Sequence, residues 1–240
     1  MPLSRTPRYL KTAALAILLA TSSLPMGGQN QIPQAWPEVD TYLNLSSHVR
    51  LSFFAAETWE EGQETSAEVG PNIDFFIKPL VKLKRIAAFQ LDQSKETLMM
   101  LRVGYHYMPA TTGPTEHRGI IEGTGRYPLR VGVMLSDRNR LDLRDIGGEF
   151  SWQYRNRLAA ERTFGINGYH FTPYIRAEGY YDDRFQKWSK TAQTFGVVLP
   201  IKKHCEMEPY YEHQNITSTA PNRQVNAFGF VVSLYFKLRD

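Results

Sequence analysis

Residues 150–158 read FSWQYRNRL, and two kinds of side chain alternate along this stretch. Every second residue from Phe150 to Tyr154 is aromatic, and the residues between them are polar, with Arg155 and Arg157 continuing the polar series. A period of two is typical of a β-strand with two unlike faces. In a small soluble sheet the aromatic face lines the core, whereas in a membrane barrel it meets lipid and the arginines face a polar lumen. The rest of the sequence has to decide between these two interpretations.

The dipeptide Asn167-Gly168 predicts the partner of this strand. Asn-Gly is a strong signal for a two-residue hairpin turn, because both turn residues adopt positive φ angles. A turn at this point places Arg157 opposite Glu178 and Leu158 opposite Ala177. Apolar side chains then meet apolar side chains, and opposite charges meet each other. The pattern predicts a hairpin with one apolar and one charged face.

The charged faces of this hairpin and of later strands hold more ionisable groups, of both signs, than a solvated strand requires. We interpret nine of them as a lumen network: Arg155, Arg157, Glu161, Arg176, Glu178, Asp182, Glu206, Glu208 and Glu212. The opposite faces are almost free of charge, although Asn156 falls on one of them as a misfit. Their aromatic residues lie near strand ends, as in the aromatic girdles of outer-membrane barrels. The aromatic faces are therefore predicted to meet lipid.

Alternating segments follow one another from Trp36 to Phe236, and we count about twelve strands. One is expected near Leu80–Leu91, followed by a short polar turn at Asp92–Lys95. The fold class is therefore predicted to be all-β, an antiparallel transmembrane β-barrel. With an even strand count and both termini in the periplasm, the long loops at Met108–Arg118 and Ile216–Arg223 are expected together on the outside.

Residues 1–28 show the pattern of an export signal. Three basic residues precede a short apolar run at 13–20, and small residues follow. This run is too short to cross a bilayer as a helix. Removing residues 1–28 leaves 28 − 3 = 25 basic and 24 acidic residues, so the charge gives little support to nucleic-acid binding. We expect a single barrel domain over residues 29–240, located in the bacterial outer membrane.

Five stretches carry a resemblance to a known family: LSDRNRLDL (135–143), SWQYRNRLAAERTF (151–164), TPYIRAEGYYD (172–182), EPYYEHQN (208–215) and the C-terminal NAFGFVVSLYF (226–236). The chain resembles, from about Trp36 to Phe236, the bacterial family catalogued as domain of unknown function 2490. The resemblance implies an outer-membrane barrel and transfers no catalytic residue. A final strand that ends in phenylalanine is also typical of what the bacterial barrel-assembly machinery recognises.

Few side chains suggest catalytic or metal chemistry. Cys205 is the single cysteine, which excludes an intramolecular disulfide and a cysteine-based metal site. The histidines lack metal-ligand spacing, so we expect neither a metal nor a cofactor. A hairpin turn at Pro200–His204 would, however, bring Ser189, His213 and Asn215 together on the lipid-facing side near the rim. These residue types can supply a nucleophile, a base and an orienting group for a lipid-acting hydrolase.

The function expected from the sequence is that of an outer-membrane barrel without an enzyme site, serving structure, adhesion or narrow passage of polar solutes. Lumen charges in such a barrel pair with one another, and wide porin channels use more strands. The expected partners are outer-membrane lipids, the barrel-assembly machinery and small polar solutes, but not nucleic acid. Two alternatives remain open: a lipid-acting outer-membrane hydrolase that uses the Ser189, His213 and Asn215 cluster, and a secreted soluble β-sandwich.

Overall fold

A computed structural model of the chain describes residues 31–77, 91–129 and 132–238. The strands are β1 (Gln31–Asn44), β2 (Val49–Glu60), β3 (Gln63–Ile77), β4 (Met99–Met108), β5 (Glu116–Pro128), β6 (Val133–Ile146), β7 (Glu149–Arg162), β8 (Phe164–Ile166), β9 (Tyr169–Asp182), β10 (Lys187–Lys202), β11 (Cys205–Ile216) and β12 (Arg223–Lys237). Short 3₁₀ turns at Gln93–Glu96 and Asp183–Phe185 are the helical elements of these residues, and neither is long and apolar enough to cross a membrane. The expected export signal at 1–28 lies outside the described residues, as does nearly all of the strand expected near Leu80–Leu91.

Eleven strands close into a barrel. Strands β1 to β7 pair in sequence, β9 joins β7 to β10, and β11 and β12 lead back to β1, while the short β8 extends the hairpin of β7 and β9. All pairs in the ring are antiparallel except β1 with β12, which run parallel from Gln31 opposite Gln224 to Asn44 opposite Lys237. The antiparallel barrel fold is confirmed, whereas the β-sandwich is wrong because the sheet closes on itself. The expected count of about twelve strands agrees with the twelve strands of the sheet, but β8 lies outside the ring. The ring itself holds an odd number of strands, so one of its pairs has to be parallel.

The two ends of the barrel differ in their connections. The loop end holds the connections Met108–Glu116 and Ile216–Arg223, and β1 also begins there. The C-terminal end is where β12 ends at Lys237. The two long loops therefore share one end, as expected. Because the strand number is odd, β1 begins and β12 ends at opposite ends of the barrel, which differs from the expectation for an even count.

The predicted pairing of β7 with β9 is confirmed. Arg157 lies opposite Glu178 and Leu158 opposite Ala177, in an unshifted register. The turn residues Asn167 and Gly168 have φ angles of 53° and 80°, as the predicted turn type requires.

The distribution of side chains answers the question raised by residues 150–158. Phe150 and Leu158 point outward and are 72% and 57% exposed, whereas the guanidinium of Arg50 and the carboxylate of Asp74 point inward and are 2% and 0% exposed. Large apolar side chains cover the outside, and ionised side chains fill the inside. This arrangement is the reverse of a soluble protein and is typical of membrane barrels.

The misfit Asn156 has polar partners on the outer face of β6. Its Nδ2 atom donates hydrogen bonds of 2.7 Å to Oδ1 of Asp137 and 3.1 Å to Oδ1 of Asn139. The hydroxyl of Tyr154 donates to the same Asn139 oxygen at 2.5 Å. A small polar cluster therefore interrupts the apolar outer wall, and mutual hydrogen bonds lower its desolvation cost.

Candidate functional site

The barrel encloses a lumen cavity of about 700 Å³ whose lining is mostly polar and charged. Trp36 and Ser218 border the cavity towards the loop end, and Asp92 and Lys95 border it towards the C-terminal end. The alternation of the strands directs the charged residues inward, because residues two apart on a strand share a face. The lumen is therefore the candidate functional site.

Glu178 is the centre of the largest ion-pair cluster. Its Oε1 atom lies 2.7 Å from Nη2 of Arg138 and 2.9 Å from Nε of Arg155, and its Oε2 atom lies 2.7 Å from Nη2 of Arg157. Arg138 is the partner that the hairpin register could not show, because it comes from β6. One carboxylate therefore contacts three guanidinium groups, and the expected single pair of Arg157 with Glu178 is part of a larger cluster.

Two further carboxylates of the predicted network pair with arginine. Oε1 of Glu208 lies 2.8 Å from Nη1 of Arg176 and accepts a 2.5 Å hydrogen bond from the hydroxyl of Tyr174. Oδ2 of Asp182 lies 2.8 Å from Nη2 of Arg184, just after β9. The Glu208 contacts join β9 to β11 across the inner face of β10, whereas the Asp182 contact is local.

The remaining predicted carboxylates have different partners. Glu161 pairs with Lys95. Glu212 accepts hydrogen bonds of 2.9 Å from the hydroxyl of Thr194 and 2.7 Å from the amide of Gln214. It forms no ion pair with the residues that the structure describes.

Residues Leu91–Leu98, which we name the lumenal segment, lie at the C-terminal end of the cavity. Asp92 accepts a 2.7 Å hydrogen bond from Nη1 of Arg50, and the backbone N–H of Leu91 donates to Oε1 of Glu206 at 2.6 Å. Nη2 of Arg126 donates to Oγ of Ser94 at 3.0 Å. With the Lys95–Glu161 pair, these contacts tie the segment to β2, β5, β7 and β11.

The lumenal segment is anchored by charge. Burial opposes ionisation of Asp92, but the positive charges of Arg50, Arg126 and Lys95 outweigh it and hold the pKa of that carboxyl well below its usual range. The sequence predicted only a short polar turn at these residues. Its position inside the barrel depends on partners from four distant strands, so periodicity did not show it.

Inward ion-pair groups centred on Asp74 and on Glu116 were missed among the candidate residues. Asp74 binds both Arg50, at 2.7 Å, and Arg102, at 2.6 Å. Near the loop end, Glu116 binds both Arg118, at 2.8 Å, and Arg144, at 2.7 Å. Apolar and polar residues alternate around Arg50 and around Asp74, as they do in the hairpin of β7 and β9. The sequence could therefore have predicted that both side chains face inward.

The expected cluster of Ser189, His213 and Asn215 is wrong. The turn between β10 and β11 contains only two residues, so Thr191 lies opposite Asn215, two residues away from the predicted register. Ser189 lies in a bulge, is buried, borders the lumen and donates a 3.3 Å hydrogen bond to the carbonyl oxygen of Tyr180. His213 lies on the outward face and contacts Oδ1 of Asn226 at 2.8 Å. The barrel wall therefore separates the serine from the histidine.

Among the described residues, no group of three or more His, Cys, Asp or Glu side chains is arranged to hold a metal ion. Cys205 is a free, half-buried thiol.

Comparison with known proteins identifies a family. A search of curated proteins found no match. Among solved structures, one match is titled "NanC porin structure in rhombohedral crystal form", with 14% sequence identity, coverage of 77% of this chain and 86% of that chain, and a TM-score of 0.43. The sequence profile of a family described as "Protein of unknown function (DUF2490)" matches residues 88–225, which is more than half of the chain. The chain therefore belongs to the DUF2490 family.

Proposed function

We propose that this protein is an outer-membrane β-barrel that lets small polar solutes pass along a narrow charged lumen. One observation carries this proposal: a closed wall with an apolar outside surrounds a polar cavity of about 700 Å³. A wall of this kind is stable in lipid, because every strand of the ring pairs with two neighbours and most outward side chains are apolar. Ionised side chains do not suit a dry hydrophobic core, so the charged interior favours a lumen that contains water.

The ion pairs and the lumenal segment support a narrow path. Eight-stranded barrels are filled by side chains and barrels of about 16–18 strands hold wide aqueous channels, so a ring of eleven lies nearer the filled class. Lys95 and Glu161 hold the lumenal segment across the C-terminal end. Passage is therefore expected to be slow and limited to small solutes.

Conductance in planar lipid bilayers tests the proposal. The wild type should give small single-channel steps, and Lys95→Ala should enlarge them because the lumenal segment loses its tie to β7. Lys203→Ala is the matched control, since Lys203 is exposed in the turn between β10 and β11 at the same end. Large steps from the wild type would contradict a lumen narrowed by ion pairs, and absence of conductance from both wild type and Lys95→Ala would refute a role in passage.

Membrane location is tested separately. The protein should remain in the membrane fraction after carbonate washing, and the folded form should differ in gel mobility from the heated form. Recovery as a stable monomer in the periplasm without detergent would contradict the outer-membrane proposal.

A further inference from the structure

Polar side chains interrupt the outer wall in the middle of β6 and β7. They are Asp137 and Asn139 on β6 and Tyr154 and Asn156 on β7, and we name them the outer polar cluster. Asp137 and Asn139 are the fifth and seventh of the 14 residues of β6, and Asn156 is the eighth of the 14 residues of β7. At a rise of about 3.3 Å per residue, all four lie within about 8 Å of the strand centre, well inside an apolar band about 25 Å tall.

Apolar residues enclose the outer polar cluster along both strands. Leu135 and Leu143 lie on either side of it on β6, Phe150 and Leu158 lie on either side of it on β7, and all four are exposed on the outside. A carboxyl group and amide groups at this depth meet hydrocarbon, where no water is present to form hydrogen bonds with them. Polar residues are costly in such a place and mark sites with a function.

Hydrogen bonds within the outer polar cluster leave one acceptor and one donor unfilled. Oδ1 of Asp137 accepts a 2.7 Å hydrogen bond from Nδ2 of Asn156, and Oδ1 of Asn139 accepts hydrogen bonds from Asn156 and Tyr154. Oδ2 of Asp137 and Nδ2 of Asn139 have no hydrogen-bond partner among the residues that the structure describes. Unfilled polar groups are costly in lipid, so both atoms favour a polar partner from outside the barrel.

Two glycines of β5 leave space beside these unfilled atoms. Gly123 lies opposite Asn139, and Gly125 lies opposite Asp137. An added Cβ at Gly125 would meet no atom of the described residues within 4 Å, and one at Gly123 would meet only Cδ2 of Leu101, at 3.7 Å. Neither glycine has a positive φ angle, so the barrel itself requires glycine at neither position. Glycine weakens a strand interior and often marks a place where another chain approaches closely, so we name this pair the glycine notch.

The two unfilled atoms are complementary to each other. One accepts and the other donates, and they lie on the same face of β6, two residues apart. In a symmetric dimer the same surface of both copies meets, so that residue i contacts residue j and j contacts i. A two-fold axis beside β6 therefore satisfies Asp137 and Asn139 of both copies at once, whereas a partner with only donors or only acceptors leaves one of them unfilled.

We propose that two copies of this chain associate in the membrane through the outer polar cluster and the glycine notch. Oδ2 of Asp137 in each copy accepts a hydrogen bond from Nδ2 of Asn139 in the other, and the glycine notch lets the two walls approach closely. The interface lies on the outside of the barrel, so each copy keeps its own lumen. The inference goes beyond passage and requires only that the outer wall meets lipid.

Energy transfer between labelled copies in lipid vesicles tests the inference. The double substitution Lys203→Cys/Cys205→Ser provides a single thiol in the exposed turn between β10 and β11, away from the proposed interface. Copies that carry a donor dye and copies that carry an acceptor dye are reconstituted together, and the protein is then diluted with lipid. Random encounters disappear on dilution, whereas a dimer keeps its energy transfer. The labelled protein should keep it.

Variants of the labelled protein assign the association to this face. Gly125→Leu fills the glycine notch with a side chain for which its own barrel has space, and Asp137→Leu removes the unfilled acceptor. Each should lower the association constant at least about tenfold, a factor that corresponds to about one hydrogen bond. Gel mobility of the unheated protein checks folding. Ala35→Leu is the matched control, because it adds the same side chain at an exposed position of β1, five strands from β6.

The outcomes separate the inference from the proposed function. Energy transfer that disappears on dilution of the labelled protein would show a monomer and refute the inference. Transfer that persists unchanged in folded Gly125→Leu or folded Asp137→Leu, or that is lost equally in Ala35→Leu, would also refute it, because the association would not depend on this face. Conductance should be the same in all of these variants, since the substitutions lie outside the lumen. Absence of conductance would refute passage and leave the dimer standing.

Discussion

Replacing Glu178 by glutamine removes the shared partner of three guanidinium groups. The side chain of Glu178 is 3% exposed, and those of Arg138, Arg155 and Arg157 are 17%, 15% and 23% exposed. Removing one partner of a buried ion pair costs about 3–5 kcal/mol. Because the arginines keep some contact with the lumen, we expect the free energy of unfolding to fall by about 3 kcal/mol, the lower end of that range.

Arg157→Gln should be much milder than Glu178→Gln. It leaves Glu178 paired with Arg138 and Arg155, so the loss is about 1.5 kcal/mol, the low end for a hydrogen bond to a charged group. The double variant Arg157→Gln/Glu178→Gln should be about as unstable as Glu178→Gln alone, because Arg138 and Arg155 still lack their carboxylate. This non-additivity distinguishes a shared carboxylate from an isolated pair.

Urea unfolding in lipid vesicles, followed by tryptophan fluorescence, measures these differences. Glu64→Gln provides the control, because it removes an exposed carboxylate on β3 and should change the unfolding midpoint little. If the double variant recovered most of the stability lost in Glu178→Gln, Arg157 would be the sole effective partner, and the three-arginine cluster would be wrong.

Two further predictions concern the wall. Leu158→Arg places a charge on the outward face and, if that face meets lipid near the midplane, should cost about 2–4 kcal/mol by urea unfolding in vesicles; an unchanged midpoint would mean that the residue does not meet lipid. Gly229→Ala should lower the unfolding midpoint, because the added Cβ would lie 1.9 Å from Cζ of Tyr210, and combining it with Tyr210→Leu should restore much of the loss. Failure of that rescue would refute the steric explanation.

The sequence by itself determined which faces are apolar and how β7 pairs with β9. The first depends only on the period of two along each strand, and the second on the φ angles that Asn167 and Gly168 adopt in a tight turn. Both are local properties, so neighbouring residues were enough to predict them. The register of β10 with β11 shows the limit of this reasoning. No Asn-Gly signal marks the turn after Lys202, and periodicity does not reveal the register shift between Pro200 and Lys202.

Only the tertiary structure decided how many strands close the ring and which residues meet across it. An odd ring requires a parallel pair of β1 with β12, and no local pattern in either strand specifies that partner. The third arginine on Glu178 and the partners of the lumenal segment join residues that are far apart in the chain. Closure brings these residues together because it fixes the distance across the lumen, which alternation along a single strand does not encode.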